Sequence, residues 1–207
     1  MTDLHHLPAG ALVEAEVFVD VAVTSLPRCE LYKCRFENCR FPEATLSRVV
    51  FEGCEFVDCD LTRVSWGQSP LRAVTFVDCK LLGVNFSKAG DDPDVVFQRC
   101  LLRYAVFDGV NLRGARFEDC QLQEASFVEA DLQDADFGGS DLTHAVLTRC
   151  SLGGANFSTS TGLFFETSQN QCKDAFVAVE TAIQMAQAAG LRVAGYDDAR
   201  PSKRKRR

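Results

Sequence analysis

Cysteine and histidine side chains are the first candidates for chemistry in this 207-residue chain, and their spacing argues against it. The ten cysteines include no CxxC pair of the kind that holds zinc. The three histidines, His5, His6 and His144, stand near no serine or cysteine in an arrangement that would make a nucleophile. No GxGxxG, phosphate-binding loop or HExxH motif occurs. We therefore predict that the protein is not an enzyme and uses no metal or cofactor.

Carboxylates are the second candidates, and they are abundant. The formal net charge is −7, with 29 Asp and Glu side chains against 22 Lys and Arg. The end of the chain, SKRKRR, is strongly basic, so the rest is more acidic than this figure indicates. Residues 105–142 alone hold nine acidic and two basic side chains. Such a body repels nucleic acid and attracts basic surfaces. Its carboxylates either form an ordinary solvated face or form a regularly spaced row of charges that imitates the phosphates of DNA.

A period of five residues positions these side chains. Large apolar residues recur at every fifth place from Leu31 to Phe86, and again, one residue out of phase, from Phe97 to Phe157. A second register, two places earlier, holds small or β-branched residues. Neither helix nor simple strand has this period. Four repeats would make a square coil, and coils would stack at the strand spacing of ~4.8 Å. From Phe97 to Leu142, Phe and Leu alternate, which predicts Phe on two opposite sides of the coil.

Nine of the ten cysteines lie on the small register, and only Cys172 lies outside it. We expect them to be small hydrophobic residues packed inside the coil. Disulfides between stacked residues such as Cys34 and Cys54 are the alternative, although such side chains would point in parallel. Reduced thiols favour a cytoplasmic protein. The N-terminal residues do not resemble a signal peptide, and no apolar run is long enough for a membrane span.

The step of five is interrupted between Phe86 and Phe97. A six-residue loop bulging from one corner is one interpretation, and a one-residue bulge with one degenerate repeat is the other. We favour the loop, at 87–96, because the second interpretation would place Asp91 or Asp92 in the apolar core. Gly90 and Pro93 are typical of a turn. Such a loop is either an indifferent insertion or a recognition element carrying Asp91, Asp92 and Asp94.

The segment Lys173–Ala189 is predicted to be a helix with an apolar face formed by Phe176, Val179, Ile183 and Ala186. A short strand is expected at Leu191–Val193. An open β-helix end must be covered, so this segment is a cap, and its apolar face could also form a dimer. The predicted organisation is a leader at 1–16, a β-helix at 17–159, a helix and strand at 160–199, and a disordered basic tail at 200–207.

The five-residue units resemble the pentapeptide repeat, whose pattern is A(D/N)LXX, as in Ala130-Asp131-Leu132 and Ala155-Asn156-Phe157. That resemblance implies an all-β solenoid, a right-handed quadrilateral β-helix with a C-terminal capping and dimerisation helix. Over almost its full length the chain is also similar to the Qnr-type quinolone-resistance proteins and the albicidin-immunity protein, most clearly in FVDCKLLGVNFSKA at 76–89. This resemblance implies a homodimer through Phe176, Val179 and Ile183, shaped as an acidic rod similar to DNA. It also implies binding to type II topoisomerases.

Two functions are therefore carried forward. The first is an acidic DNA mimic that binds DNA gyrase or topoisomerase IV and protects it from topoisomerase-poisoning antibiotics. Its binding face is expected to consist of Glu118, Asp119, Glu129, Asp131, Asp134, Asp136 and Asp141. The second is a non-enzymatic scaffold or adaptor for an unrelated protein partner. We expect the protein not to bind membranes, and to bind nucleic acid directly only through the basic tail. The sequence leaves open which drug or toxin is countered, and whether the protein is an inhibitor or a protector.

Overall fold

The backbone winds into stacked coils over residues 4–90 and 93–196, which are the residues that this computed structural model describes. Parallel ladders join each coil to the next, and about eight turns form one parallel β-solenoid. The predicted quadrilateral β-helix with a C-terminal helix is confirmed. No helix within the two described ranges is long and apolar enough to span a bilayer.

Short strands and turns alternate along the coils. The strands are β1 (Leu12–Glu14), β2 (Val17–Val19), β3 (Glu30–Tyr32), β4 (Arg35–Glu37), β5 (Val50–Glu52), β6 (Glu55–Val57), β7 (Leu71–Arg72), β8 (Val74–Val77), β9 (Val95–Gln98), β10 (Arg116–Glu118), β11 (Asn156–Phe157) and β12 (Phe176–Val177). The 3-10 helices span Leu4–His6, Phe86–Lys88 and Thr167–Gln169, and the helix α1 spans Val179–Ala188.

Residues on the same side of successive coils form columns, and we number the four faces in chain order by the residue at the centre of each repeat. Face 1 has the centres Val13, Leu31, Phe51, Leu71, Leu112, Leu132 and Leu152. Face 2 has Phe18, Phe36, Phe56, Phe76, Phe97, Phe117, Phe137 and Phe157. Face 3 has Val23, Phe41, Leu61, Leu81, Leu102, Leu122 and Leu142. Face 4 has Leu26, Leu46, Trp66, Phe86, Phe107, Phe127 and Leu147.

Stacked aromatic rings fill the centre of the solenoid. On face 2 the ring of Phe117 lies 5.2 Å from that of Phe97 and 4.8 Å from that of Phe137. On the opposite face, the rings of Phe107 and Phe127 are stacked 5.0 Å apart. The two stacks meet edge to face, as Phe117 and Phe107 do at 5.6 Å. From Phe97 to Leu142, phenylalanine therefore occupies two opposite faces, as the alternation predicts, whereas Phe41 and Phe51 lie on the other two faces.

The small or β-branched residues of the second register lie at the inner corners of the coil. A side chain there must be short, and it can donate a hydrogen bond to a backbone carbonyl group. The thiol of Cys120 donates to the carbonyl of Phe97 at 3.5 Å, and the hydroxyl of Ser140 donates to the carbonyl of Phe117 at 2.7 Å. All ten cysteines are free, nine of them buried and Cys172 half-buried. Cysteine therefore serves at the corners as a small donor that also packs well.

The solenoid begins earlier than expected. Val13 in β1 is buried and pairs with Leu31, although it lies in the predicted leader at 1–16. Phe18 pairs with Phe36, so this first coil is shorter than those that follow. The boundary at residue 17 is therefore wrong, because the shortened coil hides the repeat from a count in steps of five.

The interruption is not the six-residue loop that the sequence favours. Phe76 pairs with Phe97, Lys80 with Leu101 and Asn85 with Val106, so the coil contains one additional residue and keeps its four faces. Strand β9 begins inside the predicted loop, and Pro93 is buried. The loop interpretation is therefore wrong, and the degenerate repeat is right. Gly90 is required here because a Cβ atom on it would lie 2.9 Å from the Cα atom of Pro70.

The C-terminal end also differs in detail from the prediction. The coil continues past residue 159, since β11 pairs with β12 and places Asn156 opposite Phe176. Phe176 thus lies on a strand, and α1 begins only at Val179. Leu191–Val193, predicted as a strand, is irregular. Thr181 and Met185 turn the inner side of α1 towards the core, so the helix covers the end of the solenoid.

Candidate acidic interface

The aspartates of the A(D/N)L motif each hold a backbone amide. The carboxylate of Asp131 accepts from the amide of Gln133 at 3.1 Å, and that of Asp136 accepts from the amide of Gly138 at 3.0 Å. Asp141 accepts from the amide of Thr143 at 2.9 Å. Asparagine offers the same acceptor, which explains why the motif allows both residues. These three carboxylates therefore have a structural role and a fixed position, and all three are half-buried.

Asp141 has the most hydrogen bonds of this group. Burial alone would raise its pKa, but hydrogen bonds from the hydroxyl and amide of Thr143 and from Gln123 outweigh it, with help from the charge of Arg103. The pKa of Asp141 consequently lies below its ordinary value. The hydroxyl of Thr143 and the amide nitrogen of Gln123 each lie 2.6 Å from the carboxylate. Asp141 is therefore ionised and held rigidly.

Three other predicted acids form ion pairs. Glu129 lies 2.8 Å from Arg149, and Asp134 lies 3.2 Å from Arg113. Glu118 accepts a hydrogen bond of 2.9 Å from Gln98, and its carboxylate is 3.7 Å from Arg116. Such exposed pairs contribute roughly 0–1 kcal/mol each. Their main effect is to reduce the negative potential that Glu129 and Asp134 offer to a partner.

Asp119 differs from the other six acids. It is exposed, and within the described ranges its carboxylate has neither a hydrogen bond nor a salt bridge. A Cβ atom on Gly139, directly above, would lie 2.1 Å from Asp119 Oδ1, so this glycine leaves room for the carboxylate. Its carboxylate is open to a partner, and the charge of Arg99 in the preceding coil interacts with it.

The coil distributes the seven predicted acids over more than one face. Glu118, Asp119 and Asp136 lie on face 2, and Asp131 and Asp134 lie on the adjoining face 1. The other two acids are separated from these five by a corner: Glu129 ends its repeat on face 4, and Asp141 begins its repeat on face 3. The structure therefore brings five of them onto two adjoining faces and places two around the corners.

Face 2 carries further acids that the sequence prediction missed. Asp58 and Asp78 occupy the same position of their repeats as Asp119, two residues after the central phenylalanine. We call the carboxylates of this face the acidic face: Asp20, Glu37, Glu55, Asp58, Asp78, Glu118, Asp119 and Asp136. They outnumber its cations, Arg35, Arg99 and Arg116. A count by coils, with the additional residue of the interrupted coil included, would have found Asp58, Asp78 and Asp119, whereas a count along the chain could not.

One pair on the acidic face is well defined. Arg99 donates two hydrogen bonds to Asp78, of 2.8 and 2.7 Å, and these hold the pKa of Asp78 below its ordinary value. Arg35 bridges Glu37, at 2.5 Å, and Glu55. The cations of this face are therefore bound by its own acids. Of the remaining carboxylates, Asp58 and Asp119 are exposed and form no salt bridge among the described residues, whereas Asp136 is half-buried and accepts from the Gly138 amide and from Asn156.

The predicted loop acids are only partly within the described residues. Asp94 is exposed, and its backbone belongs to the ladder: its amide donates to Leu71 at 2.9 Å and its carbonyl accepts from Val74 at 3.0 Å. Asp91 and Asp92 lie outside the described residues, as does the basic tail at 200–207.

The predicted dimer residues lie at the C-terminal end. Phe176 and Val179 are exposed by 65% and 64%, and Ile183 is half-buried. Leu191 and Tyr196 are also exposed, by 63% and 55%. Exposed large apolar side chains at one end of a rod are typical of an association surface.

Metal-ligating side chains do not cluster in the described part of the chain. Within residues 4–90 and 93–196 no three His, Cys, Asp or Glu side chains are grouped so that they could hold a metal ion. A groove of about 650 Å³ lies on face 3, where Pro42, Leu82 and Tyr104 line it together with Asp60 and Arg63. These residues could contact a ligand, but they form no nucleophile with a base beside it.

Comparisons with known proteins concern the repeat. A search of curated proteins found no match. Among solved structures, the chain is similar to a trypsin-treated form of QnrB1, a plasmid-mediated fluoroquinolone resistance protein, at 17% identity and a TM-score of 0.46, over 91% of this chain and 100% of that chain. It is also similar to HetL, a pentapeptide repeat protein involved in heterocyst differentiation regulation from the cyanobacterium Nostoc sp. strain PCC 7120. The identity to HetL is 19% and the TM-score 0.46, over 80% of this chain and 84% of that chain.

A family model gives the assignment. The model described as pentapeptide repeat region matches residues 29–107 and 92–157, which together cover more than half of the chain. The match is defined by the repeat and not by a catalytic motif. The matched residues contain the stacked phenylalanines, the small corner register and the Asp-capped turns described above. The chain therefore belongs to the pentapeptide repeat family.

Proposed function

We propose that this protein is an acidic DNA mimic that binds a type II topoisomerase, DNA gyrase or topoisomerase IV, and protects it from topoisomerase-poisoning antibiotics. The observation that carries the proposal is the acidic face, where carboxylates recur on one side of a rigid solenoid. The sequence resemblance to the Qnr-type and albicidin-immunity proteins supports the choice of partner.

The spacing of the acidic face is suited to mimicry. Most coils of face 2 between Asp20 and Asp136 place one or two carboxylates outwards. Because coils stack at strand spacing, ~4.8 Å, the spacing of the carboxylates is of the same order as the ~3.4 Å between charges of a single DNA strand, and Arg35, Arg99 and Arg116 offset part of their charge. The parallel ladders hold the spacing, so the backbone does not have to be ordered when the partner binds.

A partner for this face must be basic, and a DNA-binding surface of a topoisomerase is. Binding would be electrostatic, so it should weaken as salt rises through the physiological range. Asp119 and Asp58 would contribute most, because both are exposed and neither has a salt bridge among the described residues. Glu129 and Asp134 would contribute less, because arginines already neutralise them.

A homodimer would double the length of the rod. We propose that Phe176, Val179 and Ile183 form its interface, since the first two are exposed at the end of the solenoid. A two-fold dimer would then present the acidic faces of both copies along one long particle. Asp91, Asp92 and Asp94 remain proposed as a separate contact with the enzyme, with Asp94 exposed.

The decisive experiment compares two variants with the same change in charge. The first carries Asp58→Asn, Glu118→Gln, Asp119→Asn and Asp136→Asn on the acidic face. The matched control carries Glu30→Gln, Asp60→Asn, Glu124→Gln and Asp141→Asn on faces 1 and 3. Asparagine keeps the acceptor for the Gly138 and Thr143 amides, so both variants should fold.

Purified gyrase and topoisomerase IV are then assayed for supercoiling and decatenation, with and without a quinolone or albicidin. We expect the acidic-face variant to lose affinity for the enzyme, and the control to lose much less. If the protein lowers the enzyme's activity in the absence of drug, it is an inhibitor. If it only restores activity that the drug has blocked, it is a protector. If the unmutated protein changes neither activity at micromolar concentration, the mimic is excluded and the adaptor hypothesis takes its place.

A further inference from the structure

Ion pairs between successive coils are common on this solenoid. Six salt bridges join residues one coil apart: Arg35–Glu55, Arg63–Glu43, Arg72–Glu52, Arg99–Asp78, Arg113–Asp134 and Arg149–Glu129. They occur on all four faces. Opposite charges stacked in a parallel ladder attract, and like charges stacked in this way destabilise it.

One column on the N-terminal half of face 4 departs from this arrangement. It contains Arg28, Arg48, Gln68 and Lys88 in successive coils, all exposed. Within the described ranges, the three cations have no salt bridge. Arg28 and Arg48 are one coil apart, at the strand spacing of ~4.8 Å, so their charges repel each other. Farther along the same column the alternation of charge returns with Glu129 and Arg149.

Hydroxyl and amide groups cover the rest of this half-face. Ser25, Thr45 and Ser65 are joined by parallel bridges, and Asn85 continues their column. The position after the central residue holds Pro27, Ser47, Gly67 and Ser87. We call these residues, together with the cationic column, the basic strip. A Cβ atom at Gly67 would lie 2.2 Å from the Ser47 hydroxyl, so the glycine keeps the strip flat.

No carboxylate lies on the basic strip. Asp108 follows it in the next coil, and its carboxylate is occupied by the Ser126 hydroxyl at 2.5 Å and the Val128 amide at 3.0 Å. Among the described residues, the acids beyond its corners include Glu30 and Glu43, of which Glu43 is paired with Arg63, and Asp91 and Asp92 follow Lys88 in the sequence. The strip also lies on the face opposite the acidic face, so the solenoid separates its two charges by its full width.

We propose that the basic strip binds the phosphodiester backbone of duplex nucleic acid. Arginine, lysine, serine and threonine are the side chains that contact phosphate oxygens, and they do so without reading sequence. The strip is straight and spans three coil steps, about 14 Å at strand spacing, which matches a row of phosphates rather than a single anion. It lacks the large apolar side chains that a membrane-binding surface inserts into lipid.

This proposal does not depend on the binding of a topoisomerase. If both hold, the acidic face contacts the enzyme while the basic strip contacts a nucleic-acid segment on the opposite side. An anionic partner would also relieve the repulsion between Arg28 and Arg48, which the solenoid leaves uncompensated.

The test measures binding of the full-length protein to a fluorescent DNA duplex of about 20 base pairs by anisotropy, over a range of salt. The strip variant carries Arg28→Gln, Arg48→Gln and Lys88→Gln. The matched control carries Lys33→Gln, Arg103→Gln and Lys173→Gln, three cations on other faces that have no salt bridge among the described residues. Both variants keep the basic tail and have the same net charge.

We expect the strip variant alone to bind at least tenfold more weakly at low salt. The slope of log affinity against log salt should become shallower by about 2.7, which is ~0.9 for each phosphate that the strip no longer neutralises. A charge-preserving variant, Arg28→Lys with Arg48→Lys and Lys88→Arg, should retain binding. Circular dichroism checks that all three fold.

Three results would overturn the proposal. Equal decreases in the strip and control variants would mean that net charge alone matters. Unchanged binding in the strip variant would assign any affinity to the basic tail. Tighter strip-dependent binding to vesicles of anionic lipid than to the duplex would mean that the surface recognises a membrane.

Discussion

Replacing Phe117 by aspartate should unfold the solenoid, because this side chain lies within the aromatic stack of face 2 and contacts the stack of the opposite face. Phe117 is fully buried. Its ring stacks on Phe97 and Phe137, and it meets Phe107 and Phe127 edge to face at 5.6 and 6.0 Å. An aspartate there would make none of these ring interactions and would place a carboxylate among rings that cannot hydrogen-bond to it.

The expected decrease in the free energy of unfolding has two sources, the lost packing and the added carboxyl group. Truncating a buried phenylalanine costs about 3–5 kcal/mol, cavity included. The aromatic pairs account for about 0.5–1.5 kcal/mol each beyond the buried area, within that total. Burying an unpaired carboxyl group adds several kcal/mol, even if it becomes neutral. The sum is comparable with the whole stability of a domain, about 5–15 kcal/mol.

Thermal and urea unfolding followed by circular dichroism measure the effect. Phe117→Leu is the graded variant, since leucine fills the same position on faces 1 and 3, and it should cost far less. Asp131→Asn is the surface control, because asparagine can still accept from the Gln133 amide at 3.1 Å. A soluble Phe117→Asp protein with an unchanged melting temperature would refute the stacked core and, with it, the fold.

Three further outcomes are expected. Thiol titration of the native protein should label Cys172 first and release the nine buried thiols only on denaturation, since burial raises the pKa of Cys29 and Cys150 to about 11; native disulfides in mass spectrometry would contradict this. Light scattering should show a dimer that Val179→Asp, or Ile183→Asp, converts to a monomer of 22.8 kDa, and a monomeric unmutated protein would end the dimer proposal. Because the folded-state pKa of Asp141 is lowered, its contribution to stability is present above about pH 4 and is lost as the pH falls through that pKa. Asp141→Asn should therefore flatten the decline of melting temperature at acid pH, and an unchanged decline would argue against this role of the carboxylate.

The fold could be predicted from the sequence because the period of five has a direct physical cause. A four-sided coil turns at fixed intervals, so every fifth residue must be large and apolar, and the place two before it must be small. From Leu31 to Phe157 all the large residues of this register are buried. The alternation of Phe and Leu even predicts which faces hold the aromatic stacks.

The register across the interruption could not be predicted from the sequence. A regular step of five, counted from Phe86 or back from Phe97, places Asp91 or Asp92 at the inward position. A degenerate repeat is then excluded on the ground that an aspartate would be buried. Pro93, whose residue type is typical of a turn, is buried, and β9 resumes the ladder two residues later. The register of Phe76 with Phe97, which decides the matter, is a contact between distant parts of the chain.

The start of the C-terminal helix was predicted wrongly for a different reason. Phe176, Val179 and Ile183 have a spacing that suits one helical face. However, Phe176 lies at the outward position before Val177, so it also continues the five-residue pattern from Cys172. Strand pairing with β11 decides between the two, and the helix starts only after the last ladder bond is made.

The candidate interface shows why charge must be counted along columns and not along the chain. Residues 105–142 are acidic as a segment, yet their carboxylates are distributed over four faces, and six of the seven predicted acids are paired with an arginine or hold a backbone amide. Asp58, Asp78 and Asp119 are far apart in sequence and lie in one column. The same reading reveals Arg28, Arg48 and Lys88 on the opposite face. Because each column belongs to one face, substitutions in the acidic face and in the basic strip act on surfaces that do not touch, and their effects on enzyme binding and on DNA binding should be separable and additive.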